Sequence, residues 1–89
     1  MSRAYADPEE LMEFAGVLEH YISTLDDETG RLNSAFGKLE ETWQDQQRSS
    51  FEERYRELLN VLNSFKESAS QQIPHLRTMA EDLRTYLNR

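Results

Sequence analysis

Leucine recurs every seven residues through the first half of the chain, and this spacing constrains the fold more than any other feature. The five positions are Leu11, Leu18, Leu25, Leu32 and Leu39. A second row follows each leucine by four residues: Ala15, Ile22, Thr29, Phe36 and Trp43. Spacings of seven and four are typical of one apolar seam on a long α-helix. Asp7 is a good N-cap residue and Pro8 suits the first helical position, so we expect one helix over about residues 8–42.

A second apolar seam occupies the other half of the chain. Its two rows are Phe51, Leu58, Phe65, Gln72, Met79 and Tyr86, and Tyr55, Leu62, Ala69, Leu76 and Leu83. Ser50 and Glu53 have the spacing of a capping box, which predicts a helix over about residues 50–87. Pro74 lies inside this helix and removes a backbone hydrogen bond, so we expect a kink near residues 70–74.

Two long helices joined by a short polar segment predict an all-α fold, an antiparallel two-helix hairpin with its turn at residues 43–49. We expect one domain over residues 1–89 and no strands. A hairpin buries only one stripe on each helix, so part of its apolar surface would stay exposed; two hairpins dimerising into a four-helix bundle would cover it. The residues predicted for the core and dimer seam are Leu11, Leu18, Ile22, Leu25, Leu32, Phe36, Leu39, Phe51, Tyr55, Leu58, Leu62, Phe65, Leu76 and Leu83.

Composition excludes several classes of function. The formal net charge of −7 and the scattered Lys and Arg residues argue against nucleic-acid binding, which needs a basic surface. No apolar run approaches the roughly 18 residues of a membrane span. The amino terminus lacks the apolar segment of a cleaved signal peptide. Without cysteine the chain has no disulfide or thiolate chemistry.

The sequence offers no convincing catalytic or metal-binding pattern. A di-metal site in a helical bundle uses Glu-x-x-His pairs, but Val17 and Gln72 stand three residues before His20 and His75. Ser49-Ser50 fits helix capping better than a nucleophile, and no glycine-rich phosphate loop occurs. We therefore predict a protein that is not an enzyme and binds neither metal nor cofactor.

The only tryptophan, Trp43, lies between the two predicted helices in the segment Trp43-Gln44-Asp45, with Phe51 and Tyr55 following at helical intervals. This arrangement resembles the WXG family of small ESAT-like bacterial proteins, which type VII secretion systems export. In that family a glycine stands where this chain has Asp45. Because Asp tolerates positive φ better than most residues, we expect the turn to form at some cost in stability.

The resemblance implies a role for the turn. Trp43, Gln44 and Asp45, with the link as far as Gln47, would form part of the surface that the secretion machinery reads. A lone tryptophan at the end of a seam is also an ordinary packing residue, and the two roles are compatible.

The resemblance also implies partners and a location. We expect a homodimer, or a heterodimer with a sister WXG protein, recognised by the type VII secretion ATPase. The protein would be made in the cytoplasm and exported to the extracellular space or cell surface without a cleaved signal peptide.

Two alternatives stay open. The Tyr-x-x-x-Asp/Glu signal that often follows the second helix in this family does not follow Tyr86, whose next residues are Leu87-Asn88-Arg89. The chain would then be a targeting or chaperone partner that pairs with a helical segment of a larger exported toxin. A cytoplasmic coiled-coil scaffold is the third possibility.

Overall fold

The structure, a computed structural model, describes residues 6–88 as an antiparallel hairpin of two α-helices. Helix α1 spans Pro8–Thr42 and helix α2 spans Gln46–Leu87. The hairpin is a rod with extents of 67 × 21 × 19 Å. This confirms the predicted all-α hairpin, and residues 6–88 contain no strand.

Helix α1 begins and ends where the sequence predicts. The Asp7 carboxylate accepts a hydrogen bond of 2.9 Å from the backbone N–H of Glu9, and Pro8 occupies the first turn. At the other end the backbone N–H of Trp43 donates to the Leu39 carbonyl oxygen at 2.9 Å. The helix is continuous through Gly30, although glycine has a low helix propensity. Packing of the seam residues before and after Gly30 stabilises the helix there.

Helix α2 begins four residues earlier than predicted. The turn contains residues 43–45 rather than 43–49, and the N-cap is Asp45 instead of Ser50. An acidic cap followed by good helix formers is sufficient to start a helix, which explains the early start at Gln46. Pro74 lies inside an uninterrupted helix, and the kink near residues 70–74 stays a prediction.

The two helices meet along a narrow seam whose most buried positions are small. Ala15 and Ala80 are completely buried. The other buried apolar residues are Ile22, Tyr55, Ala69 and Ile73. Small side chains at the contact line allow the helix backbones to approach closely, so larger neighbours point to the sides.

The predicted core and dimer seam therefore divides into three groups. Ile22 and Tyr55 are buried. Seven residues are partly buried: Leu11, Leu18, Leu25, Phe36, Leu62, Leu76 and Leu83. Five are exposed: Leu32, Leu39, Phe51, Leu58 and Phe65. The hairpin thus leaves a substantial part of its apolar surface uncovered, as predicted.

One side of the seam carries ion pairs between the helices, and we call it the charged flank. Lys66 pairs with Asp26 at 2.5 Å, Arg77 with Glu19 at 2.9 Å, and Arg84 with Glu9 at 2.6 Å; these six residues define the flank. The three contacts join residues 40, 58 and 75 positions apart, so they match one register of the hairpin along most of its length.

The other side of the seam is apolar. Successive helical residues are about 100° apart, so Tyr21, one residue before buried Ile22, points away from Asp26, four residues after it. Tyr21 meets Phe65 of α2 edge to face, with ring centroids 6.2 Å apart. We call this side the apolar flank. Its large residues, each 41–56 % exposed, are Phe14, Tyr21, Leu32, Leu39, Phe51, Leu58, Phe65 and Met79.

Replacing one buried seam residue should have a large effect because the core is so thin. Ile22→Ala should lower the free energy of unfolding by about 2 to 4 kcal/mol, since it removes packing on Ala69, Ile73 and their neighbours. Val17→Ala, at a position 59 % exposed on the same helix, should change it by less than about 0.5 kcal/mol. Urea unfolding followed by circular dichroism measures both, at one protein concentration. Equal losses in the two variants would contradict this description of the seam.

Candidate functional site

The turn joins two helix ends through one carboxylate. Asp45 Oδ1 accepts a hydrogen bond of 2.9 Å from the backbone N–H of Gln47 and so caps α2. The same oxygen accepts a hydrogen bond of 2.9 Å from the indole Nε1–H of Trp43. Since Trp43 is itself the C-cap of α1, Asp45 links the end of one helix, the indole and the start of the next.

The backbone of this turn differs from the expectation. Asp45 has φ −99° and ψ 176°, and Trp43 has φ −93° and ψ 101°; both are extended. None of residues 6–88 has positive φ. The expectation that Asp45 needs to tolerate positive φ is therefore wrong, because extended cap residues make the reversal. The side chain of Asp45 adds two hydrogen bonds that a glycine would lack.

Four aromatic rings pack together next to the turn, and we call them the turn cluster: Phe36, Trp43, Phe51 and Tyr55. Trp43 and Phe51 have ring centroids 5.6 Å apart, and Phe36 and Tyr55 have centroids 4.7 Å apart. Phe51 also contacts Phe36 at 5.8 Å and stacks on Tyr55 at 6.3 Å. Rings at these separations and tilts stabilise each other beyond their buried area. The partly buried indole is thus held by ring packing as well as by Asp45.

The turn cluster continues into a shallow apolar groove on the apolar flank. The groove is lined by Leu32, Ala35, Phe36, Leu39, Phe51, Tyr55 and Leu58. At its floor the Tyr55 hydroxyl donates a hydrogen bond to Asn33 Oδ1 at 2.5 Å. An apolar side chain from another molecule fits this lining, because no charged side chain lines the groove.

The structure brings Trp43, Gln44 and Asp45 together at the tip of the rod. The Gln44 side-chain amide donates to the Glu41 carbonyl oxygen at 3.3 Å and so satisfies one free acceptor at the end of α1. Gln47 is exposed at the start of α2. Asn33 was not among the predicted site residues, although its position, four residues after Thr29, places it on the seam side of α1.

The part of the chain that the structure describes offers little for other chemistry. No group of three or more His, Cys, Asp or Glu residues within 6–88 is placed to hold a metal ion. None of the described helices is both long enough and apolar enough to cross a membrane. The turn and the two flanks are therefore the features on which a function can be argued.

No protein-family model matches this chain, and no curated protein or solved structure matches it either.

Substitutions at Asp45 should separate its two hydrogen bonds from its charge. Asp45→Ala removes the cap and the indole acceptor, and should lower the free energy of unfolding by about 1 to 2 kcal/mol. Asp45→Asn keeps an oxygen at the same place and should lose less than half as much. Urea unfolding measures the stability, and the emission of Trp43, the only tryptophan, reports release of the indole. Equal losses in the two variants would show that the charge matters rather than the acceptor.

The Tyr55–Asn33 hydrogen bond gives a second test of the site. Tyr55→Phe leaves the Asn33 amide without its partner and should lower the free energy of unfolding by about 1 kcal/mol. Tyr21→Phe is the matched control, because that residue is 55 % exposed on the apolar flank, and it should be neutral within about 0.5 kcal/mol. Thermal unfolding of both variants checks the difference, and a neutral Tyr55→Phe would count against a structural role for the bond.

Proposed function

We propose that this chain is a small, non-enzymatic secreted hairpin, a substrate of a bacterial type VII secretion system that acts as a dimer. The observation that carries the proposal is the fixed indole at the tip of the rod. Trp43 is oriented by Asp45 and packed on Phe51, at the junction of two long helices. This is the place where the WXG resemblance puts the residues that the secretion machinery reads.

The geometry supports recognition of a folded protein. A side chain held by a hydrogen bond and by ring packing loses little conformational freedom when a partner binds it. Gln44 and Gln47 lie next to Trp43 at the same tip and offer neutral amide groups. The proposed partner at this surface is the secretion ATPase, and the proposed destination is the extracellular space or cell surface.

The apolar flank supports the dimer in this proposal. Its eight large residues are each at least 41 % exposed and extend along both helices from Phe14 to Met79. A continuous apolar strip of this kind marks an interaction surface in a protein with so small a core. A second hairpin, of this chain or of a sister WXG protein, would cover it and complete a four-helix bundle.

A second candidate function uses the same flank differently. The chain would be a targeting partner whose apolar flank accepts an amphipathic helix of a larger exported toxin, as helix-in-groove recognition does elsewhere. The groove lined by Leu32, Leu39, Phe51 and Leu58 favours this reading, because it accepts apolar anchors. Co-purification with the products of neighbouring genes distinguishes this candidate from a self-contained substrate.

Export can be measured directly in the bacterium that makes the protein. The chain should be found in the culture supernatant of cells with an intact secretion ATPase and be retained in cells in which that ATPase is deleted. A cytosolic marker in the same fractions controls for lysis. Retention under conditions where other substrates of the system leave the cell would contradict the proposal.

Substitution of Trp43 tests whether the indole is read. Trp43→Ala should reduce the exported fraction about 5- to 30-fold, if recognition of the indole contributes about 1 to 2 kcal/mol. Trp43→Phe retains ring packing on Phe51 but loses the hydrogen bond to Asp45. Its exported fraction should lie between those of the wild-type protein and Trp43→Ala. Circular dichroism of the purified variants establishes that the hairpin is intact. Unchanged export of a folded Trp43→Ala variant would remove the turn from the proposed mechanism.

A further inference from the structure

We propose that the groove beside the turn cluster binds a medium-chain fatty acid, whose alkyl chain lies in the groove and whose carboxylate meets Arg54. This ligand goes beyond the proposed function, because its binding requires neither export nor a dimer. Three features carry the inference: the apolar lining of the groove, its length, and an unpaired basic side chain on its rim.

The groove has the size of one short alkyl chain. Its volume is about 290 Å³, and its lining consists of aliphatic and aromatic residues. The one hydroxyl of this lining, on Tyr55, already donates a hydrogen bond to Asn33. From Leu32 to Leu39 the groove extends about 10 Å along α1, from a rise of about 1.5 Å per residue. An extended chain of about ten carbons has nearly this length, because each C–C bond is about 1.5 Å long.

Aromatic contacts between the two helices bound the groove at both ends. At the turn, the rings of Trp43 and Phe51 have centroids 5.6 Å apart. Toward the other end, Tyr21 meets Phe65, seven residues after the lining residue Leu58, with centroids 6.2 Å apart. A partner helix is about 10–12 Å wide with its side chains, so it would rest on these rings. A single alkyl chain is thin enough to lie between them.

Arg54 provides a positive charge on the rim of the groove. It follows Phe51 by three residues and precedes Leu58 by four, so all three share one face of α2. Arg54 is exposed and forms no ion pair within residues 6–88, whereas Arg56 pairs with Glu52 at 3.5 Å. A guanidinium binds a carboxylate through two parallel hydrogen bonds. An unpaired arginine beside an apolar groove therefore favours a ligand with an alkyl chain and an anionic head.

The site uses only the half of the apolar flank next to the turn. Phe14, Tyr21, Phe65 and Met79 lie outside the groove and stay available to the second hairpin of the proposed dimer. A bound alkyl chain would remove part of the exposed lining, such as Leu58, from water, which is favourable. The carboxylate would stay at the surface beside Arg54, so binding buries no unpaired charge.

Calorimetric titration of the purified full chain with decanoate, below its micelle-forming concentration, measures the binding. One decanoate should bind per chain, with a Kd of about 1 mM or lower. Arg54→Gln removes the charge at the rim and should raise this Kd at least about fivefold. Arg56→Gln is the matched control, because it removes the same charge about 200° around α2. It should change the Kd less than about twofold. Absence of saturable binding, or equal effects of the two variants, would overturn the inference.

A second pair of variants tests the groove itself. Ala35→Glu puts a carboxylate into the apolar lining at an exposed position and should raise the Kd for decanoate at least about tenfold. Ser34→Glu adds the same charge outside the lining and should change that Kd less than about threefold, because exposed charges are screened. Circular dichroism establishes that both variants remain helical. Unchanged decanoate binding by a helical Ala35→Glu variant would contradict a ligand in the groove.

Related ligands test the chemical class. Decyltrimethylammonium has the same chain with a cationic head, and should bind at least about fivefold more weakly than decanoate. Octanoate, two CH₂ groups shorter, should bind about tenfold more weakly. Flotation with vesicles of anionic phospholipid distinguishes a free fatty acid from a membrane surface, and the chain should not float with the vesicles. Tighter binding of the cationic ligand, or binding to vesicles without binding to decanoate, would overturn the assignment.

Discussion

The fold depends on close contact between the two helices along a single line. Ala15 and Ala80 are completely buried where the helices meet, and only Ile22, Ile73 and a few others share that line. Two helices alone cannot surround a large side chain on all sides, as the several packed elements of a globular core do. The bulky residues of both helices consequently project to one side or the other, and their chemistry determines what each side does.

The two sides are sorted by charge. The charged flank joins the helices with exposed ion pairs, each of which contributes little free energy in water. These ion pairs help to set the register of the two helices, because Asp26–Lys66 and Glu9–Arg84 both form in the same alignment of α1 on α2. The apolar flank adds ring contacts such as Tyr21–Phe65 and Trp43–Phe51 to the hairpin, and its large residues remain 41–56 % exposed.

The turn shows how one side chain can fix a helix start where the backbone conformation is ordinary. Glycine is useful where a chain must adopt positive φ, but this turn is built from extended residues at Trp43 and Asp45. Asp45 therefore acts through its side chain, which caps α2 and accepts the indole hydrogen bond. One carboxylate thus fixes both where the second helix begins and how the tryptophan is oriented, which couples the site to the fold.

The sequence by itself determined the fold class, the bounds of α1 and the presence of uncovered apolar surface. Seven-residue spacing and the Asp7-Pro8 cap are local signals, and their meaning does not depend on distant residues. Asp45 is also a local signal for the start of α2, because Asp is a good N-cap residue. The capping-box spacing of Ser50 and Glu53 predicted a later start. Only the tertiary structure decided which seam residues are buried, why Tyr55 pairs with Asn33, and that charged and apolar side chains occupy opposite flanks. Those outcomes depend on the rotation and register of one helix against the other, which contacts 40 to 75 residues apart in the chain establish.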